Sequence, residues 1–234
     1  MEKIITGHPE VLTHEAKQVI SKLSYVIPQT FYMAGGTCLA LQLGHRISID
    51  FDFFTQEEFS ENSRTQLINK LKNLGSFEII ENKEGTLHAR LNNVQLSFFY
   101  YPYKLLKPTV SWQKIRLAQL EDIAPMKLNA IIGRGSKKDF IDLFMISKKI
   151  RLKKIFALCV KKFSNYPSFY LQAARALVFF NDADREPMPK MLINLNWDDI
   201  KLFFETEIKK IMNALLQKIN KKKMTVFKKR WIPS

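Results

Sequence analysis

The stretch Ile47-Ser-Ile-Asp-Phe-Asp-Phe-Phe54 alternates apolar and polar side chains along most of its length. Successive side chains of an extended chain point to opposite faces, so this segment is committed to a β-strand with two unlike faces. Ile47, Ile49, Phe51 and Phe53 share one face, which reads as the face toward a core. Ser48, Asp50 and Asp52 share the other. Two carboxylates on one face repel each other, and folding gains nothing from placing them there. A solvated strand face tolerates the pair. The functional alternative is a cation: hard carboxylate oxygens in this pattern suit one or two Mg²⁺ ions. Two such metals stabilise the attacking and leaving oxygens of an in-line displacement at phosphorus.

A second feature lies just upstream. Phe31-Tyr-Met-Ala34 reads as a short strand, stopped by Gly35-Gly36, with Thr37 where a short helix to Leu43 begins. Glycines permit a tight turn and a close backbone approach, and the free N–H groups of a helix start attract anions. Alone, Gly-Gly before a helix is an ordinary turn. Followed by a strand carrying Asp-x-Asp, it places a phosphate cradle beside a metal site.

The rest of the first half alternates helix and strand signals. Helices are expected over 9–23 and 57–74, and strands over 77–80, 86–91 and 94–101, separated by Asn, Lys and Gly turns. After Pro108 the strand signals stop. Helices are expected over 120–132, 137–150, 152–163, 168–180 and 198–219, with a Pro-containing loop over 181–196. The pattern is α+β: a mixed sheet flanked by helices over residues 1–150, then a helical bundle over 151–234. The net charge of +15 divides unevenly, +4 over residues 1–150 and +11 over 151–234. A basic excess attracts polyanions such as RNA, DNA or nucleotides, or else serves solubility. The tail from Lys218 to Arg230 is especially lysine-rich, and is expected either to be disordered or to lie along an anion. No apolar run approaches the roughly 20 residues of a membrane helix. The N-terminus lacks the pattern of a signal peptide, and Cys38 and Cys159 do not suggest a disulfide framework. These features read as a cytoplasmic protein.

Gly-Gly followed by Asp-x-Asp resembles the nucleotidyltransferase superfamily of DNA polymerase β. The closer resemblance is to the AbiEii/AbiGii toxin family, carried by Gly35-Gly-Thr-Cys-Leu-Ala-Leu41, His45-Arg-Ile-Ser-Ile-Asp-Phe-Asp-Phe-Phe54, Leu120-Glu-Asp-Ile-Ala-Pro-Met-Lys-Leu-Asn-Ala130 and Gly135-Ser-Lys-Lys-Asp-Phe-Ile-Asp-Leu-Phe144, in that order. The resemblance covers roughly residues 30–150. It implies transfer of a nucleoside monophosphate from an NTP to a hydroxyl of RNA (a tRNA is one candidate) or of protein. Asp50 and Asp52 would hold Mg²⁺ or Mn²⁺. Gly35, Gly36, Thr37, Arg46 and Ser48 would bind the nucleotide, and Lys127 and Asp139 would complete the catalytic set. The biological role implied is a toxin with an antitoxin partner, or phage defence.

Each of these residues has a structural alternative. Arg46 either neutralises phosphate, orients the Asp pair or is a surface charge, and His45 either contacts a base or packs. Lys127 pairs with phosphate or sits on a solvated helix face, although apolar neighbours predict partial cover. Asp139 and Asp142 resemble the late acidic motif, yet Ser136 to Asp139 also spells a variant capping box. One position departs from the polymerase pattern: Ser97 stands where a third carboxylate is expected. Two rival readings follow. The chain is either a transferase fold that binds nucleic acid or a partner without turnover, or a small-molecule transferase of the antibiotic-adenylating kind.

Overall fold

A computed structural model of the protein describes residues 3–231 except Asn165 and Pro167, with side chains described up to Gln217. Eight strands form one mixed sheet in the order β1-β7-β8-β2-β3-β6-β5-β4. The central strands are β2 (Phe31–Ala34), β3 (Phe51–Thr55) and β6 (Val94–Tyr100). β3 pairs antiparallel with β2 and parallel with β6. β5 (Thr86–Leu91) and the edge strand β4 (Phe77–Lys83) continue one side. β1 (Lys3–Ile4), β7 (Val110–Trp112) and β8 (Ile115–Leu117) complete the other. The mostly exposed β4 carries Glu78, Glu81 and Lys83, charges that discourage edge-to-edge association.

The period-two pattern locks the register of β3. Phe51 and Phe53 are fully buried, Phe53 stacking on Phe98 of β6. A slip of one residue would expose both rings, at about 1.5–3 kcal/mol each. That energy keeps Asp52 and Phe54 on the opposite face. The core face is shorter than the alternation suggests. Ile49 is 46% exposed and Ile47 half-buried, because residues 47–50 precede the ladder. Their amides bond elsewhere, Ile47 N–H to the Lys190 carbonyl and Ser48 N–H to that of Val11.

The helices are α1 (His14–Leu23), α2 (Gly35–Leu43), α3 (Glu61–Lys72), α4 (Leu120–Arg134), α5 (Lys137–Ser147), α6 (Leu152–Lys162), α7 (Phe169–Ala176), α8 (Asn181–Arg185) and α9 (Trp197–Trp231). Thr13 and Ser60 cap α1 and α3 through their side chains. Pro9–Val11 is a separate 3-10 turn, so α1 starts five residues later than its apolar spacing suggests. Strands do not stop at Pro108: β7 and β8 form a tight hairpin turned by Gln113 and Lys114, both at positive φ (47° and 65°). The expected loop over 181–196 contains α8, and its segment around Met191 pairs with Arg46. One continuous hydrophobic core runs from Val11 to Ile211, with α4 packed on α2, α5, α6 and α7. The helix α9 extends beyond Ile219 to Trp231; the side chains of the tail lysines lie outside the described residues. No described helix is long and apolar enough to cross a membrane.

Candidate active site

β2 delivers the chain to Gly35, which adopts φ +77° and opens α2. A Cβ at Gly35 would lie 2.6 Å from Asp52 Oδ2, and one at Gly36 would collide with the Arg46 guanidinium. Only glycine lets the start of α2 approach these groups so closely. No side chain caps α2, so its first N–H groups remain available to an anion. The helix begins at Gly35, two residues before the position the sequence suggests. Thr37 is buried, its hydroxyl 2.7 Å from Ser48 Oγ and hydrogen-bonded to the Asp50 carbonyl. It therefore ties the Asp50 segment to α2.

Asp50 and Asp52 face a cleft of about 610 Å³, together with Gly35, Gly36, Thr37, Arg46, Ser48, Lys127 and Asp139. The fold thus brings every sequence-derived candidate to one place. Both carboxyls are held above their ordinary range by burial. For Asp50, the charges of Lys138 and Arg46 oppose that rise. For Asp52, Lys127 and a Ser97 hydrogen bond oppose it, while Asp50 adds to it. Among the described residues neither carboxylate has an ion-pair partner within 4 Å. Ser97 is the direct cross-strand neighbour of Asp52, and His88 Nδ1 lies 3.1 Å from its Oγ. No described group of three or more His, Cys, Asp or Glu could hold a metal, so Asp50 and Asp52 stand as a pair.

The other acids behave differently. Asp142 is fully buried and collects Arg46 Nε and Nη2, each at 2.8 Å, Lys127 Nζ at 2.6 Å and His45 Nε2 at 2.8 Å. An ionised carboxylate only accepts, so Nε2 of His45 carries the proton. His45 packs, as one of its two alternatives has it. Asp139 takes Lys127 Nζ at 2.9 Å and Arg134 Nε and Nη2 at 2.7 and 3.0 Å. Burial is the largest single influence and would raise both acids, but the lowering effects together outweigh it: Lys127 and Arg134 at Asp139, and Lys127, Arg46 and His45 at Asp142. Asp142 lies well below the usual carboxylate range. The capping box is not formed. Ser136 Oγ and Lys137 N–H both donate to Glu186, which takes over the start of α5.

The sequence did not single out Arg134 or Lys138. Arg134 keeps a side chain 58% exposed at the cleft wall, and Lys138 is exposed beside Asp50. Arg134 ends α4 and Asp139 lies in the first turn of α5, so the pair spans a helix break and has no helical spacing to reveal it. The Arg46–Asp142 pair joins residues 96 apart.

A family model matches residues 26–231: the nucleotidyl transferase AbiEii toxin of type IV toxin–antitoxin systems. The chain belongs to the AbiEii family. It is a nucleotidyltransferase. An uncharacterised protein of Aquifex aeolicus is 35% identical over 208 residues, 86% of this chain and 98% of its own. The fold is shared with JHP933 of Helicobacter pylori (TM-score 0.51, 15% identity, 92% of this chain and 99% of that one). It is also shared with MenT4, a nucleotidyltransferase toxin of Mycobacterium tuberculosis (TM-score 0.52, 14% identity, 84% and 86%). These likenesses confirm the mixed-sheet architecture and the C-terminal helical region of this AbiEii-family chain.

Proposed function

We propose that this AbiEii-family enzyme moves a nucleoside monophosphate from an NTP to a hydroxyl of RNA, tRNA being one candidate, and that it is the toxin of a toxin–antitoxin or phage-defence pair. The observation that carries the reading is the Asp50–Asp52 pair: two half-buried carboxylates beside the uncapped start of α2. Their oxygens fit Mg²⁺ or Mn²⁺, since Mg²⁺ takes one or two carboxylates plus substrate phosphates and water. Asp50 and Asp52 would hold the ion, which supplies charge neutralisation on the phosphoryl oxygens when bound.

The chain's own residues position the substrate. The first amides of α2, at Gly35 and Gly36, receive the triphosphate, and Ser48 and Thr37 hold the neighbouring segment. Arg134 and Lys138 present exposed cationic ends to it. Lys127 and Arg46 add positive potential from behind, fixed by Asp139 and Asp142. Charge placed in advance costs no reorganisation during reaction. The test is incubation with Mg²⁺, total RNA and each α-labelled NTP in turn. Label should enter RNA with one or more NTPs and vanish in Asp52→Asn. Label on protein alone would assign a protein hydroxyl as acceptor. A second reading, a binding module without turnover, is favoured by Ser97 in the third-acid position; tight RNA binding with no label in any product would establish it.

A further inference from the structure

The sheet face that meets the cleft at Asp52, Phe54, His88, Ser97 and Phe99 is a grid of cross-strand neighbours. One row runs Ala34, Asp52, Ser97, His88 and Glu81; the next, two residues along each strand, runs Tyr32, Phe54, Phe99, Thr86 and Lys83. In the second row the rings are near parallel. Tyr32 and Phe54 lie 6.1 Å apart at 27°, and Phe54 and Phe99 5.2 Å apart at 26°. Tyr32 is buried, whereas Phe54 and Phe99 are half-buried and line the cleft. The stack ends at Phe99, because its next neighbour across the sheet is Thr86. His88 packs beside Phe99, the two rings near perpendicular (77°) at 5.2 Å. Folding alone would favour covering Phe99 or replacing it with a polar residue; it stays half-open at the cleft.

We propose that Phe99, backed by Phe54, forms the acceptor subsite and stacks the base of the terminal nucleoside of a single-stranded RNA end. This rests on the transferase reading above and adds where the acceptor sits. Two residues of strand, about 6.6 Å, separate the ledge from Asp52, a span suited to a base on Phe99 with its ribose hydroxyl at the carboxylates. Direction decides between donor and acceptor. Ala34 pairs with Asp52 and Tyr32 with Phe54, so Gly35 and Gly36 lie on one side of Asp52 along the strand axis and the ledge on the other. An in-line displacement places the attacking hydroxyl opposite the leaving pyrophosphate. With the triphosphate at α2, the attacking nucleoside comes from the ledge side. Every base offers a π-face, so the ledge orders an RNA end without reading its sequence.

The test uses a short single-stranded RNA whose 3′-terminal base is 2-aminopurine, whose fluorescence falls on stacking. The full-length protein should quench it. Phe99→Leu should weaken binding by about ten- to a hundred-fold, the range for loss of one stacked base, and Phe99→Trp should restore it. The rise in melting temperature given by Mg²⁺ with an NTP analogue should be the same in all three proteins. Unchanged RNA affinity in Phe99→Leu would overturn the proposal. So would loss of the Mg²⁺–NTP increment with RNA binding intact, since the ring would then hold the donor base. If wild type shows the Mg²⁺–NTP increment but neither binds nor quenches the RNA, the subsite is refuted and the transferase reading stands. Absence of both effects would remove both.

Discussion

Asp142 shows what a single residue can decide. It is buried with Arg46, Lys127 and His45 directed at it. Removing one partner of a buried ion pair leaves uncompensated charge, at about 3–5 kcal/mol. Asp142→Asn keeps the volume and should lower unfolding free energy by about 3 kcal/mol, read from denaturant melts; a loss below about 1 kcal/mol would show that the network is not structural. The pH sign follows from its depressed pKa, shared with Asp139. Such acids contribute stability above their unfolded value of 3.8 and lose it as pH falls through their lower folded values. The protein should therefore weaken below about pH 4, and Asp142→Asn should flatten that fall. Ser97 presents the opposite case, a neutral group beside Asp52. Ser97→Asp should tighten Mg²⁺ binding by calorimetry; unchanged or weaker binding would assign the third position elsewhere, with Asp139 the next to test.

At the scale of elements, the site is a strand, a two-glycine turn and a helix start. Gly35→Ala tests that joint. A non-glycine residue at φ +77° costs about 1–3 kcal/mol, and its Cβ would push Asp52 aside. The variant should fold with a reduced melting temperature and a much smaller response to Mg²⁺ with NTP; a full response would show that the close approach is dispensable. The Asp pair and the glycine turn were legible because each depends on neighbours within eight residues. Period two put Asp52 opposite the buried Phe51 and Phe53, which enforce its side; Asp50 precedes the ladder and reaches the same cleft with its carbonyl tied to α2 by Thr37. The hairpin of β7 and β8 escaped notice because its strands are three residues long and its turn uses Gln113-Lys114 at positive φ, with none of the usual Asn or Gly. The exposure of Ile49 was hidden too, since the chain around it bonds to Val11 and Lys190, far away in sequence.

For the whole molecule, the C-terminal half supports the cleft in two ways. Glu186 caps α5, which carries Asp139 and Asp142, and the strand-like segment around Met191 holds Arg46 in place. None of this was legible, because it joins residues 49 to 145 positions apart. The charge of +11 beyond residue 150 was legible. If it recruits RNA, each phosphate contact contributes a log–log salt slope of about −0.7 for a single strand. Truncation after Gln217 removes the basic tail, and should weaken RNA binding and flatten that slope while leaving the NTP response unchanged. An identical slope would make the tail a solubilising extension.

If Asp50 and Asp52 together receive a divalent cation and an NTP, the melting temperature with and without both ligands reads it. Because burial holds both carboxyls above their usual range, their ionisation opposes folding. Asp50→Asn combined with Asp52→Asn should therefore raise the melting temperature of the metal-free protein. Mg²⁺ with NTP should raise the wild-type melting temperature by mass action and leave the double variant where it was. An equal rise in both proteins would contradict the assignment.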